Sequence, residues 1–324
     1  MDLFLNIAGS VCMAAFLCLL VWRGLWQLGW LPKALACPFA AADDLQSQST
    51  AKKPAINAQD AALLQSQSVA QASAEQTSAP AQSIAPCSKR EGIAWFAAAL
   101  VLTWFFVWVG FRYSGQQNFY SFLPYAWQRF TTAGDAPHYQ YLAEDWYATA
   151  GDSINLIVFY PLYPLLVKGF SLLTLGNALV AGVVLSNLCW GLAAVAMRRL
   201  AGRFYGGVAA RCATLSMLLF PFSFFAIGMF TESLFLLLTI LTLDAIATKR
   251  FTKAGIFGCL AALCRTQGVL LILAAVYAFL QAYRGKQALK EWRKALPLAL
   301  VPLGYLIYLG LNWCYCGDPL TFLY

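Results

Sequence analysis

Residues 93–111 and 177–197 carry no charged side chain, and several further stretches of the chain are nearly as apolar. Runs of this length read as transmembrane helices, because hydrocarbon offers no partner to a backbone amide or carbonyl. Composition agrees with that constraint: 60% of the 324 residues are hydrophobic and 11% are charged. A net charge of +8 would point to nucleic acid in a soluble protein. Here the basic residues stand in short clusters beside the apolar runs, the pattern that orients a membrane protein, so no nucleic-acid partner is expected. The ten cysteines include no Cys-x-x-Cys pair, and Cys12, Cys18, Cys189, Cys212, Cys259 and Cys264 lie within apolar stretches. They read as small hydrophobes rather than as a disulfide or zinc framework.

The expected fold class is an all-α polytopic integral membrane protein in three parts. Residues 1–31 form an N-terminal anchor: the apolar run 3–22 follows Asp2 and precedes Arg23 and Lys33, the reverse of a signal peptide's charge order. Residues 32–91 are rich in Ala, Gln and Ser, repeat Leu-Gln-Ser-Gln-Ser at 45–49 and 64–68, and have no aromatic residue between Phe39 and Trp95. Such a stretch buries too little apolar surface to offset its ordering entropy and reads as a disordered cytoplasmic linker. Residues 92–324 form the membrane-embedded core.

Lys89-Arg90 places the entry to the first core span, 93–111, in the cytoplasm and the loop 112–158 outside. Further spans are expected at 177–197, ending at Arg198-Arg199-Arg203, then at 207–228 and 232–247, ending at Lys249-Arg250-Lys253. Residues 254–282 fit two shorter helices meeting at Arg265-Thr266-Gln267-Gly268, which keeps both flanking basic clusters inside. A last span, about 295–313, exits at Gly317-Asp318-Pro319. The polar motifs then share the non-cytoplasmic face.

Asp135, ionised at neutral pH, can accept a proton from an attacking hydroxyl or hold a cation. It can equally cap a helix opening at Pro137. His138, the only histidine, and Tyr139 follow on that helix, whose aromatic side suits the membrane interface. Phe159-Tyr160-Pro161-Leu162-Tyr163-Pro164 reads as an entry lined by rings, or as a plain loop-to-helix corner. Glu232 in a first helical turn favours the helix dipole and can also hold a hydroxyl-rich group. Arg265 inside an apolar stretch needs a polar partner, for which a phosphate is well suited. Arg112, Arg129 and Lys168 are the other outer-side cations.

In order along the chain come the loop acid with His138-Tyr139, Ala143-Glu144-Asp145-Trp146-Tyr147, Phe-Tyr-Pro-Leu-Tyr-Pro, Phe230-Thr231-Glu232-Ser233-Leu234-Phe235, Cys264-Arg265-Thr266-Gln267-Gly268 and Gly317-Asp318-Pro319-Leu320. Over residues 92–324 this order resembles the bacterial branch of the PIG-V family of mannosyltransferases, within the GT-C class of membrane glycosyltransferases. The resemblance implies a GT-C-type helix bundle and a polyprenyl-phosphate-linked sugar donor, typically of mannose. It also implies a glycan, glycolipid or protein acceptor and transfer with inversion on the non-cytoplasmic face of a bacterial inner membrane. Asp135 would be the catalytic base, with His138, Tyr139, Tyr160, Tyr163, Glu232, Arg265 and Asp318 in substrate binding. No cofactor is required, although a carboxylate and a substrate phosphate suffice for a divalent ion.

Two positions depart from the pattern: Gly134 stands where the family usually has tryptophan, and Trp146 where a glycine is common. The chain also stops at Tyr324, where relatives continue through further spans, so either the sequence is truncated or the enzyme is incomplete. A transporter or flippase of a lipid-linked or polar solute is the alternative, with Arg265 and Asp244 in its favour. A non-catalytic membrane scaffold is the third reading.

Overall fold

The computed structural model describes residues 87–115, 119–283 and 286–323, all within one compact unit, Gln82–Tyr324. The expected anchor and nearly all of the linker lie outside the described residues. Among the described residues the chain is helical and contains no strand. Its main helices are α1 (Lys89–Tyr113), α2 (Phe122–Thr131), α3 (Ala136–Glu144), α4 (Leu162–Ser171) and α5 (Ala178–Leu218), then α6 (Glu232–Ala247), α7 (Phe251–Cys264), α8 (Leu271–Ala282), α9 (Lys286–Lys290) and α10 (Leu300–Cys316). Among the described residues three helical stretches are long and apolar enough to cross a membrane: Lys89–Tyr113, Ala178–Leu218 and Trp292–Cys316. A fourth arises if the bent pair Asp152–Val158 and Leu162–Thr174, turned 107° against each other, is one span.

Polar contacts between helices fix their directions. Helix α1 starts where Ser88 Oγ accepts from Glu91 N at 3.1 Å. Glu91 pairs with Arg198 at 2.7 Å, Trp190 donates to Thr103 Oγ1 at 2.9 Å, and Trp104 donates to Asn187 at 3.1 Å. Rising numbers on α1 meet falling numbers on α5, so the two are antiparallel. Each of these groups is the buried or half-buried partner of the other, as an apolar surrounding demands.

Helix α5 is not one rod. Gly206 takes φ 77°, a left-handed conformation that lets the chain reverse there. Asn187 Nδ2 donates to Ile227 O at 2.8 Å. In a straight helix Leu218 would lie about 45 Å beyond Asn187, and residues 219–227 reach about 30 Å at most. The second arm therefore folds back along the first. The span expected at 207–228 is correspondingly shorter: the helix stops at Leu218, because Pro221 cannot continue it, and a 3-10 turn, Ser223–Ile227, follows.

Helix α6 runs parallel to the first arm of α5, since Ser186 Oγ reaches Phe230 O at 3.3 Å and Arg203 pairs with Asp244 at 2.6 Å. Helix α7 returns antiparallel to α6, with the Arg265–Glu232 pair closing the open end of that hairpin at 2.8 Å. The expected break is present: α7 ends at Cys264, Arg265 is extended (φ −157°, ψ 150°), and a 3-10 turn, Thr266–Leu270, leads into α8. Phe251–Cys264 and Thr266–Ala282 are apolar but shorter than a full span.

The bundle thus has two ends. One gathers Lys89, Arg90, Arg198, Arg203, Arg250 and the basic run before α10. The other gathers Asp135, Tyr160, Glu232 and Arg265. Small residues set how closely α7 approaches α10 and the 3-10 turn before it, Leu296–Ala299: a Cβ on Gly255 would collide with the Pro297 carbonyl, and one on Gly258 would stand 2.6 Å from a Val301 methyl. Gly110, on α1, has open space around it. Gly255→Ala is expected to lower stability by about 1–3 kcal/mol, and Gly110→Ala, in open space on a helix, to leave it unchanged or raise it by up to ~1 kcal/mol. Thermal unfolding of the purified protein in detergent reads both, and equal effects would contradict this packing.

Candidate functional site

The site is built around the break after α7. Arg265 Nη1 donates to Glu232 Oε1 at 2.8 Å and to Thr231 Oγ1 at 3.1 Å. Both partners stand at the start of α6, where an acid favours the positive end of the helix dipole. The two charged side chains remain 37% and 43% exposed, yet Glu232 Oε2 is buried without a hydrogen bond. The pair therefore faces an opening on one side and packed protein on the other.

Helix α3 brings the loop acid to this break. Gly134 adopts φ 56°, which favours glycine, and a Cβ there would stand 3.5 Å from Phe230. Asp135 then holds the N-cap position, its carbonyl accepting from His138 N and Tyr139 N at 3.1 Å each. Its side chain forms no capping hydrogen bond, because Asp135 has helical φ and ψ (−81°, −5°) rather than the extended backbone that turns a capping side chain inward. The capping alternative is therefore not realised, and Asp135 is exposed.

Tyr139 links the acid to the pair. Its ring is buried edge-on to Phe159 and Tyr163 at 5.1 Å each. Burial pushes the Tyr139 hydroxyl well above its ordinary range, a hydrogen bond with Thr231 opposes this, and the carboxylates of Glu232 and Asp135 add to it. Burial and the two carboxylates thus favour the neutral form of the Tyr139 hydroxyl. Tyr160 shares a hydrogen bond with Thr266 Oγ1 at 2.9 Å and stacks on Tyr308, 3.8 Å between ring centres. Tyr308 donates to Ile157 O at 2.9 Å, tying the loop before α4 to α10.

Asp135, Tyr139, Tyr160, Glu232 and Arg265 are brought to one end of the bundle. His138 lies exposed beside them, its ring 5.2 Å from that of Phe159. Tyr163 is fully buried, and its hydroxyl is taken up by Ser186 Oγ at 2.8 Å and Gly182 O at 3.2 Å, so it positions α4 on α5. Asp318 is exposed and its carboxylate accepts from Leu320 N at 2.9 Å, which shapes its own turn. Just after that turn, Phe322 lies 5.4 Å from Tyr308. The other cations contact their own neighbours: Lys168 donates to Glu144 O at 3.4 Å, Arg129 lies over Tyr125, and Arg112 is exposed at the end of α1. Among the described residues no group of three or more His, Cys, Asp or Glu could hold a metal ion.

Sequence reasoning missed Tyr308 and Ser186. Tyr308 sits in an apolar run where a tyrosine reads as an interfacial anchor, although Tyr305, Tyr308 and Asn312 recur at helical spacing and so share one face. Ser186 had no local signal, since its partner lies in another helix.

Trp146 has φ 71°, a region costly for a residue with a side chain. Its ring packs edge-on to Tyr147 at 5.0 Å. Trp146→Ala and Trp146→Gly both lose this contact, but only glycine relieves the backbone. The glycine variant is expected to be the more stable of the two by about 1 kcal/mol, read from their unfolding midpoints. Equal midpoints would contradict a left-handed Trp146.

Comparison of the chain with protein-family models, with curated proteins and with solved structures found no match.

Proposed function

We propose that this chain is a membrane glycosyltransferase that moves a sugar, typically mannose, from a polyprenyl-phosphate donor to an acceptor hydroxyl. The observation that carries this reading is the meeting of Asp135, Tyr139, Tyr160, Glu232 and Arg265 at one end of the bundle. These residues come from motifs far apart in the chain, and the resemblance to PIG-V enzymes names the same ones. The left-handed backbone at Trp146, where that family commonly has glycine, is a second point of agreement.

In this reaction Asp135 takes the proton from the acceptor hydroxyl as its oxygen attacks C1 of the sugar. The bond from C1 to the phosphate oxygen breaks on the opposite face, the configuration inverts, and the polyprenyl phosphate leaves as an anion. The proton remains on Asp135 until solvent removes it. Arg265 keeps guanidinium donors beyond those given to Glu232 and Thr231, and these favour the negative charge of the phosphate. Glu232 and Thr231 hold that guanidinium in place, and Tyr139, kept neutral by burial, bonds with Thr231. Positive-inside reasoning assigns this end to the non-cytoplasmic face, opposite the basic clusters, and makes the chain polytopic. The GT-C class is part of the same proposal.

The transporter reading has less support. Asp244, one of its two features, is spent in an ion pair with Arg203 at the basic end. Ionisable groups along a transport path belong near the bilayer midplane.

Membranes carrying the full chain, given a polyprenyl-phosphate mannose donor, provide the test. Asp135→Asn is expected to lower transfer by about 10²-fold or more, whereas Tyr163→Phe, which touches only the interior, keeps most of it. Full transfer by Asp135→Asn would remove Asp135 from the role of base. An inactive wild-type chain with every such donor would favour the transporter or scaffold readings.

A further inference from the structure

Between the second arm of α5 and the start of α6, residues 220–230 hold five aromatic side chains, and all five are phenylalanine. Their rings follow one another: Phe220 and Phe222 lie 5.8 Å apart, Phe222 and Phe225 6.3 Å, and Phe224 and Phe225 4.3 Å. Phe225 then meets Phe230 edge-on at 5.5 Å. The 3-10 turn Ser223–Ile227 sets how they face: it buries Ser223, Ala226 and Ile227 and leaves Phe224 and Phe225 40% and 37% exposed. The base under these rings is pinned. Asn187 Nδ2 donates to Ile227 O at 2.8 Å, Met229 N to Phe130 O at 3.0 Å and Ser186 Oγ to Phe230 O at 3.3 Å.

The inner end of this ladder borders both charged parts of the site. A Cβ on Gly134, next to Asp135, would stand 3.5 Å from the Phe230 ring. Phe230 is followed by Thr231, whose Oγ1 accepts from Arg265 Nη1 at 3.1 Å. Rings that anchor a protein at a membrane surface are typically Trp and Tyr, whose polar tips reach the headgroups. None of these five rings has such a tip. A row of wholly apolar rings leading to a half-exposed guanidinium fits an amphiphile with a phosphate at one end and a hydrocarbon chain behind it.

We propose that Phe222, Phe224 and Phe225 are specificity-determining residues that seat the first units of the donor's polyprenyl chain, with its phosphate at Arg265. The identity of that chain rests on the sugar-transfer reading. With the phosphate at the membrane surface, the first chain units lie at headgroup depth, where hydrocarbon neighbours are scarce. The rings supply those neighbours, so the chain gains from this seat what the bilayer does not offer it there.

The test uses the purified full chain in a neutral detergent and a polyprenyl phosphate carrying a photoreactive diazirine beside its phosphate end. Label is expected in residues 212–249, the segment trypsin frees between Arg211 and Lys249. Unlabelled polyprenyl phosphate should compete for it, and phosphatidylglycerol at the same concentration should not. Phe224→Ala with Phe225→Ala should need about tenfold more probe or greater for equal labelling. Phe105→Ala with Trp108→Ala, which removes a comparably exposed stacked pair from α1, should keep the wild-type response. Label spread over the outward faces of all the helices, or competition by phosphatidylglycerol, would overturn the seat, and both are read on the wild type. Equal weakening in the two double variants would overturn it as well. In membranes active in transfer, the Phe224/Phe225 variant should raise KM for the donor about tenfold and leave kcat within about twofold. Competed label at 212–249 without any transfer would sink the reaction and keep the seat, whereas transfer with label elsewhere would overturn the seat alone.

Discussion

A guanidinium within an apolar stretch is tolerated only where protein or water takes its hydrogen bonds, and Arg265 is such a group. Its partners, Thr231 and Glu232, lie at the start of the neighbouring helix, which sets where that helix may begin. The same residue interrupts the chain between Cys264 and Thr266 in an extended conformation, so two short helices replace one long one. That break frees Thr266 to meet Tyr160, and Tyr160 in turn carries the stacked Tyr308. Four segments distant in sequence are thereby held at one end by a single cation and its acid.

The opposite end follows another logic. Two of its acids pair with arginines, Glu91 with Arg198 and Asp244 with Arg203, which lock α1 to α5 and α5 to α6, and Glu291 pairs with Lys294. The surplus positive charge is left outward, where a membrane surface can use it. Between the ends, packing is by close approach of small residues, as at Gly258 against α10 and Gly255 against the turn before it. Charge thus marks the ends, and glycine sets the distances between them.

Much of this was legible in the sequence where a residue was in conflict with its neighbours. The basic clusters on both sides of 254–282 demanded a break near Arg265, and the break is there. Arg198-Arg199-Arg203 demanded a helix end, and the chain reverses just beyond them at Gly206. Features that depend on distant partners were not legible. Tyr163 looked like part of an aromatic entry, but Ser186 and Gly182, on the next helix, draw it into the core. Asp135 before a proline looked like a capping residue, yet its backbone angles leave the carboxylate unbound. Nothing local in Trp146 encodes its left-handed backbone; the one sign was the glycine common at that position in the family the chain resembles. The second arm of α5 ended early for a reason that was visible, Pro221, but outweighed in the reading by the apolar run around it.

The dependence of the site end on the Arg265–Glu232 pair is open to direct measurement by a double-mutant cycle. Unfolding free energies of wild type, Arg265→Gln, Glu232→Gln and the double variant, in one lipid-like micelle, isolate the coupling between the two side chains. A coupling above about 1 kcal/mol is expected, beyond the usual range for water-exposed pairs. Additivity of the two single variants within ~0.5 kcal/mol would contradict the central place given to this interaction.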